Sequence, residues 1–324
     1  MESYFDRPRR SGPAPVERLR AGAGKLLPKA AELVELSGGF QNWNFLVRGG
    51  RDPLVLRLSA SPEALRKEVA LLKRLRATGS AVPVPTVLWS RPLGDSAMAA
   101  FTFMRGEMLW TARRRLDGGG RRVLSRQLGE ILARIHGHEF PAFGLLNDKL
   151  EIESPVESYS EWTIAYLRGF LASPMFRKRV DKDLRKRLAE CIDSHPDFHR
   201  PESGPRLCHG DFNEKNILAD IDAHGNAAIS AVLDWEFCLA STPSIDIGNL
   251  FRFTFIEPWI DPASFEDGYL GAGGKLAKNW RARACFIDLV ALCDFLDSKF
   301  SRPKTEQTAR RLLKASLNFL HRDA

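Results

Sequence analysis

The chain changes character once, after Gly106, and that change limits the folds open to it. Before it, short apolar runs alternate with glycine and proline breaks, at residues 31–36, 45–47, 54–58, 87–89 and 98–104. Runs of this length, bounded by turn residues, predict β-strands. Gly49-Gly50-Arg51-Asp52 and Pro92-Leu93-Gly94-Asp95 predict tight turns between antiparallel neighbours. One helix interrupts the set. Ser61-Pro62-Glu63 supplies a cap, a first-position proline and an acid, and Leu65, Val69, Leu72 and Leu75 follow at helical spacing to about residue 77. After Gly106 helical periodicity dominates, over residues 123–138, 159–170, 182–192 and most of the chain from 245 onward. Short strands are predicted at 207–208, 217–219 and 229–233. The pattern gives an α+β chain in two lobes. A small antiparallel β-rich N-lobe with one helix covers residues 1–105, of which 1–13 read as a loose tail. A larger, mainly helical C-lobe covers 106–324. Ligand sites favour the cleft between such units.

The bulk properties exclude several classes. With 324 residues, 44% of them hydrophobic and 27% charged, the chain can bury a sizeable core without covalent staples. No apolar stretch approaches the ~18 residues that span a bilayer. The first ten residues are charged, contain Pro8 and lead into no apolar secretory segment, so a cytoplasmic location is expected and no membrane partner. Five cysteines, an odd number with no Cys-x-x-Cys pair, predict reduced thiols rather than disulfides or a zinc ribbon. The formal charge is +8. The basic runs at 113–115, 121–122 and 177–187 have no interleaved aromatic residues. They read as solvated helix surfaces rather than as a nucleic-acid platform.

The densest polar cluster is His209-Gly210-Asp211-Phe212-Asn213-Glu214-Lys215-Asn216, bracketed by two strand-like segments. Asp234 follows at the end of a second apolar strand, in Val232-Leu233-Asp234-Trp235-Glu236. Asparagine and aspartate oxygens are hard ligands suited to Mg²⁺ shared with phosphate oxygens. Asp211 is then free to orient a hydroxyl nucleophile and accept its proton. His209 reads as a packed scaffold residue and Asp246 as a cap or ion-pair partner. Glu236 is open between the metal and solvent. Trp162, Tyr166 and Phe170, at helical spacing, read as core.

In this order, the motifs resemble those of the aminoglycoside phosphotransferase family, within the protein-kinase-like superfamily. The resemblance runs from about residue 33 to 253. His209-Gly210-Asp211 through Asn216 resembles the family's catalytic loop, and Val232 to Glu236 its metal-binding strand end. Ser244-Ile245-Asp246-Ile247-Gly248-Asn249 resembles a downstream segment whose aspartate is structural. Leu128-Gly129 to His136 resembles the helix that opens the second lobe. The resemblance implies a two-lobed kinase-like fold and roles for individual residues. Asp211 would be the catalytic base, and Asn216 and Asp234 would hold Mg²⁺. Arg57, where a lysine is usual, would face the phosphates of ATP or GTP, with Glu68 as its partner. Ser37-Gly38-Gly39-Phe40-Gln41-Asn42 would form the turn over the phosphates, with Gly38, Gly39 and Asn42 as its contacts. The backbone of Phe101 to Met104, with Phe103 and Met104 as its contacts, would receive the adenine or guanine base. Arg in place of Lys makes the phosphate contact a planar fork rather than a point charge.

The expected reaction is phosphoryl transfer to a hydroxyl of a small molecule. The acceptor stays open. Glu257, Asp261, Glu266, Asp267, Asp288, Asp294 and Asp297 would bind a cationic amino sugar if they lined the cleft. Phe251-Arg252-Phe253 and Trp259 would equally box a quaternary ammonium group, as in choline-kinase-like relatives acting on choline or ethanolamine. Sugar, homoserine and macrolide acceptors remain alternatives. A non-catalytic nucleotide-binding pseudokinase is the rival of another class, and the presence of all three metal and base positions argues against it. Donor preference, oligomeric state and any part in antibiotic resistance do not follow from the sequence.

Overall fold

The computed structural model describes residues 15–27, 31–36, 42–194, 204–222 and 226–323. After helix α1 (Val16–Ala23) come strands β1 (Glu32–Glu35), β2 (Asn42–Arg48) and β3 (Leu54–Ser59). Helix α2 (Pro62–Ala77), β4 (Val87–Leu93) and β5 (Ser96–Thr102) complete the N-terminal part. The five strands form one sheet in the order β1-β2-β3-β5-β4, every pair antiparallel. Strand alternation sorts its two faces. Phe45, Leu56, Leu58, Met98 and Ala100 pack with Leu19 and Ala23 of α1. Ala97, Ala99 and Phe101 meet the leucines of α2 on the other face. Arg57, between Leu56 and Leu58, therefore stands on the α2 side. The cap of α2 is as the sequence predicts, with the Ser61 side chain accepting from the Ala64 N–H.

The strand predicted over 98–104 ends at Thr102. Its partner β4 begins only at Val87, and the chain before that is Val82-Pro83-Val84-Pro85, whose prolines have no N–H to donate. The Pro83 carbonyl instead accepts from Val232 N in the C-terminal part, at 2.8 Å. Phe103 and Met104 become connection.

The C-terminal part opens with β6 (Glu107–Met108), α3 (Leu109–Ala112) and α4 (Gly118–His136). A hairpin of β7 (Phe143–Leu146) and β8 (Ile152–Val156) leads to α5 (Tyr159–Ala172), α6 (Pro174–Arg179) and α7 (Lys182–Ser194). Then come β9 (Arg206–Cys208), β10 (Ile217–Ile221), β11 (Ala227–Val232) and β12 (Leu239–Ser241). Helices α8 (Ser244–Phe251), α9 (Pro262–Gly271), α10 (Trp280–Asp297) and α11 (Pro303–Asp323) follow. The strands make two small sheets, β11-β10-β6 and β8-β7-β12-β9. The result is an α+β, kinase-like architecture. One core runs from α2 through α4 to α9, and a second lies among α5, α6, α7, α10 and α11.

Helix α4 starts at Gly118 rather than at 123. Three consecutive glycines look like a break, but Asp117 caps them, its carboxylate accepting from Gly120 N at 2.7 Å. The same helix crosses α9 at backbone contact. A Cβ on Gly129 would stand 2.1 Å from the Phe265 carbonyl oxygen, and one on Gly268 would stand 2.0 Å from that of Arg126. Two side-chain expectations are corrected. Tyr166 is 46% exposed, stacked on Trp162 along the outside of α5, and only Phe170 of that trio is fully core. Arg113, from a run expected to be solvated, is 3% exposed and paired with two glutamates. Among the described residues no helix is long and apolar enough to cross a membrane.

Candidate active site

The loop from His209 to Asn216 joins β9 to β10 and is held from behind by one carboxylate. Asp246, near the start of α8, is wholly buried. Its Oδ2 accepts from His209 N (2.7 Å) and its Oδ1 from Gly210 N (2.9 Å). His136, at the end of α4, adds its Nε2 to Asp246 Oδ2 at 3.2 Å, while its Nδ1 meets the Tyr269 hydroxyl at 2.8 Å. A carboxylate only accepts, so His136 donates through Nε2 and accepts from Tyr269. His136, Cys208 and Asp246 stand close enough to suggest a metal, but these bonds already occupy them, with Cys208 Sγ donating to the Thr242 carbonyl. The trio is a buttress. Gly210 lies at φ +81°, and a Cβ there would stand 2.3 Å from the Phe237 carbonyl oxygen, so only glycine fits the turn.

His209 is fully buried beside Trp235, ring centroids 4.5 Å apart. Its Nδ1 accepts from Asp211 N at 3.2 Å, which leaves Nε2 to donate to the Leu233 carbonyl at 2.9 Å. The ring thus sits in one tautomer as a strut between the Asp211 loop and the Asp234 turn, as the sequence reading expects.

Asp211 is gripped on both carboxylate oxygens. Asn213 Nδ2 donates to Oδ1 and Asn216 Nδ2 to Oδ2, each at 2.7 Å. Asn249, one turn beyond Asp246 on α8, brings its Nδ2 to 3.5 Å from Oδ1. Burial pushes the Asp211 carboxyl above its ordinary value, and Arg252 and the Asn216 amide oppose that shift. Asn216 Nδ2 also donates to the Asp211 carbonyl at 2.9 Å, so the asparagine's nitrogen is committed and its carbonyl oxygen is the remaining polar atom.

Asp234 follows β11 in the left-handed region, φ +61°, and its side chain is 35% exposed. Arg57 reaches it across the two parts of the molecule. Nη2 donates to Asp234 Oδ1 (2.5 Å), Nη1 to Glu68 Oε2 (2.6 Å) and Nε to Asn44 Oδ1 (2.9 Å). Burial works against the charged guanidinium, but Glu68 and Asp234 outweigh it and raise the Arg57 pKa. Glu68 Oε1 also takes the Trp235 N–H, so α2 is tied to the Asp234 turn. Asn42 Nδ2 donates to Glu236 Oε2 at 3.0 Å. Burial, then Asp234, raises the Glu236 carboxyl. Glu236 is thus half-buried at the site rather than facing solvent.

The structure therefore brings together Asp211, Asn216, Asp234, Arg57, Glu68 and Asn42. Phe103 and Met104 stand apart from this cluster, half-buried after β5, where the Thr102 hydroxyl meets Met104 Sδ at 3.9 Å. Gly38 and Gly39 lie outside the described residues. Hard oxygens from Asn216 and Asp234 suit Mg²⁺, and a fixed carboxylate beside them suits proton acceptance from a hydroxyl. Sequence reasoning assigns no part to Asn213 or Asn249, although both lie inside segments that carry the resemblance. It also misplaces Arg252. That residue is buried in a two-pronged pair with Asp288, Nε to Oδ2 at 2.9 Å and Nη2 to Oδ1 at 2.6 Å.

The side chains named for an acceptor surface are largely engaged within the protein. Phe251, Phe253 and Trp259 are core, and the Trp259 indole N–H is bonded to Glu214 Oε1. Six of the seven acids named in the C-terminal third have a partner within the protein. Glu257 pairs with Arg113, Asp267 with Arg126 and Asp288 with Arg252. Asp261 caps α9, Glu266 accepts from Trp280 Nε1, and Asp297 accepts from the Ser173 hydroxyl and Phe176 N. Asp294 is exposed on α10.

Comparison with curated protein sequences gives no match. Solved structures share the fold at low identity. The GDP complex of wild-type aminoglycoside 2'-phosphotransferase-IIIa is 17% identical with a TM-score of 0.69, over 94% of this chain and 97% of that one. The streptomycin–ATP–APH(2")-IIa ternary complex is 14% identical with a TM-score of 0.62, over 95% and 99%. Aminoglycoside phosphotransferase APH(4)-Ia is 18% identical with a TM-score of 0.61, over 93% and 99%. Residues 32–286, most of the chain and every element of the site, match the phosphotransferase enzyme family, and it is to this family that the chain belongs.

Proposed function

We propose that the chain transfers the γ-phosphoryl group of ATP or GTP to a hydroxyl of a small molecule. The observation that carries this reading is the convergence of Asp211, Asn216, Asp234 and Arg57 from three separate segments. Asp211, held on both oxygens, orients the hydroxyl and accepts its proton at a fixed position. Asn216 and Asp234 would hold Mg²⁺, which when bound supplies positive charge against the phosphates. Arg57 presents its remaining N–H groups to those phosphates while Glu68 and Asn44 fix its plane. Residues 1–105 form the nucleotide side, with Gly38, Gly39 and Asn42 at the phosphate turn and the backbone of Phe103 and Met104 at the base. Residues 106–324 carry the loop, the metal position and the acceptor site. A cytoplasmic location goes with this reading.

Similar proteins are known in complex with GDP and with ATP and streptomycin, which makes both nucleotides and the aminoglycoside class the first arms of a test. Mg²⁺-dependent release of ADP and GDP is measured across aminoglycosides, choline, ethanolamine, hydroxyl amino acids and sugars. Asp211→Asn serves as the blank. The expected result is stimulation by one acceptor class. The variant loses roughly 10²–10⁴ in rate while nucleotide affinity is kept. Normal turnover by the variant, or a wild-type protein that binds no nucleotide, overturns the reading.

A further inference from the structure

Arg113 is the one member of the 113–115 basic run that is buried, and no step of the proposed reaction uses it. Its guanidinium lies over the indole of Trp110 at 4.7 Å and that of Trp259 at 5.8 Å. Nε pairs with Glu214 Oε2 at 2.5 Å and Nη2 with Glu257 Oε2 at 2.8 Å. Glu214 belongs to the catalytic loop and is itself 3% exposed. Three attachments converge on it. Arg113 holds one carboxylate oxygen, the Trp259 indole N–H holds the other at 2.5 Å, and Trp110 N donates to the Glu214 carbonyl at 3.0 Å. On either side of Glu214 in the chain stand Asn213 and, after Lys215, Asn216. These are the two residues whose amides grip the two oxygens of Asp211.

We infer that Arg113 is a positioning residue for this loop, acting through Glu214 to fix where Asn216 and Asp211 stand relative to one another. The inference rests on the phosphotransferase reading. Asp246 anchors the start of the loop at His209 and Gly210, and the Arg113–Glu214 pair anchors its far half. A buried ion pair is weak evidence for stability, since apolar replacements of similar volume are often neutral. Its value here is geometric. An Asn216 free to shift would present its carbonyl oxygen poorly to Mg²⁺ while leaving the N-terminal nucleotide contacts intact.

The test separates geometry from stability. Arg113→Met alone leaves a buried carboxylate without its cation. The informative protein is therefore Arg113→Met/Glu214→Gln, which removes both charges and keeps an oxygen for the Trp259 N–H. Glu257, whose side chain is 38% exposed, can turn to water. ATP affinity is measured by calorimetry with Mg²⁺ and with EDTA, beside a thermal melt. The double variant is expected to melt near the wild type and to bind ATP in EDTA unchanged. Its Mg²⁺-dependent gain in affinity should fall by about 10–100-fold, the usual cost of losing a partner behind a metal ligand. Arg113→Lys, which keeps the charge without the fork, falls between and carries the same test should the double variant not fold. A folded variant with the full Mg²⁺-dependent gain overturns the inference. So does one that loses both affinities in step with its melting temperature. A wild-type protein with no Mg²⁺-dependent gain overturns the phosphotransferase reading, and this inference with it.

Discussion

Arg57 spends one N–H from each of its three nitrogens on side chains of the protein, and two of those partners are carboxylates. The hydrogen-bonded contact with Asp234 means that a cation seeking this carboxylate meets a guanidinium already there. A lysine could not hold Asn44, Glu68 and Asp234 in one plane. Glu68 is 3% exposed, so Arg57→Met strands a buried charge. The loss should be about 3–5 kcal/mol in urea unfolding, and Arg57→Met/Glu68→Gln should recover most of it. Equal stability of the two variants would show that Glu68 is solvated in a way the structure does not contain. Arg57, Glu68, Asp211, Asn216 and Asp234 were expected near one another from the resemblance of their motifs to those of the family, and the structure brings them together. Asn213, Asn249 and Glu214 were not expected there. Asn249 and Glu214 make their contacts across the fold, and Asn213, two residues from Asp211, looks the same in the sequence whether it grips a carboxylate or water.

At the scale of elements, α4 shows how helix propensity and packing pull glycine in opposite directions. At Gly129 the closest approach to α9 is backbone to backbone, so Gly129→Ala must push two helices apart. The expected cost is about 1–3 kcal/mol, read as a lower midpoint in denaturant. Gly169, inside α5, has nothing within 4 Å of where its Cβ would go. There Gly169→Ala should stabilise by about 0.5–1 kcal/mol, because the unfolded chain loses freedom and the helix loses nothing. The same sign for both substitutions would contradict the packing described. The long amphipathic helices and the five N-terminal strands were legible from periodicity and turn residues. Strands of two or three residues, such as β6 and β12, carry no period to read. The start of α4 was hidden because its first turn is glycine, and only the Asp117 cap marks it.

For the whole molecule, the thiols follow one rule: all five are at least partly withdrawn from solvent. Cys208, Cys238, Cys285 and Cys293 are buried and Cys191 half-buried, all as free thiols. Burial pushes the thiols of Cys191 and Cys238 up to about 12, so near pH 8 the reactive thiolate is scarce. A thiol reagent at pH 8 should therefore react slowly with the native protein and with all five cysteines in denaturant. A fast-reacting native thiol would overturn this account of the core. Composition predicted the reduced state of the cysteines, but not that the C-terminal acids would be consumed by arginines and helix caps. That depends on which helices meet, which one sequence does not state. The Asp246 buttress also bears on how the protein acquires its activity. The carboxylate that fixes His209 lies 37 positions downstream of it, and the histidine that fixes the carboxylate lies 110 positions upstream. Contacts this distant in the chain form late, after local helices. During refolding, helical circular dichroism should recover before the nucleotide binding proposed above, so a newly made chain passes through a stage that is helical and inert until α4, α8 and α9 have docked.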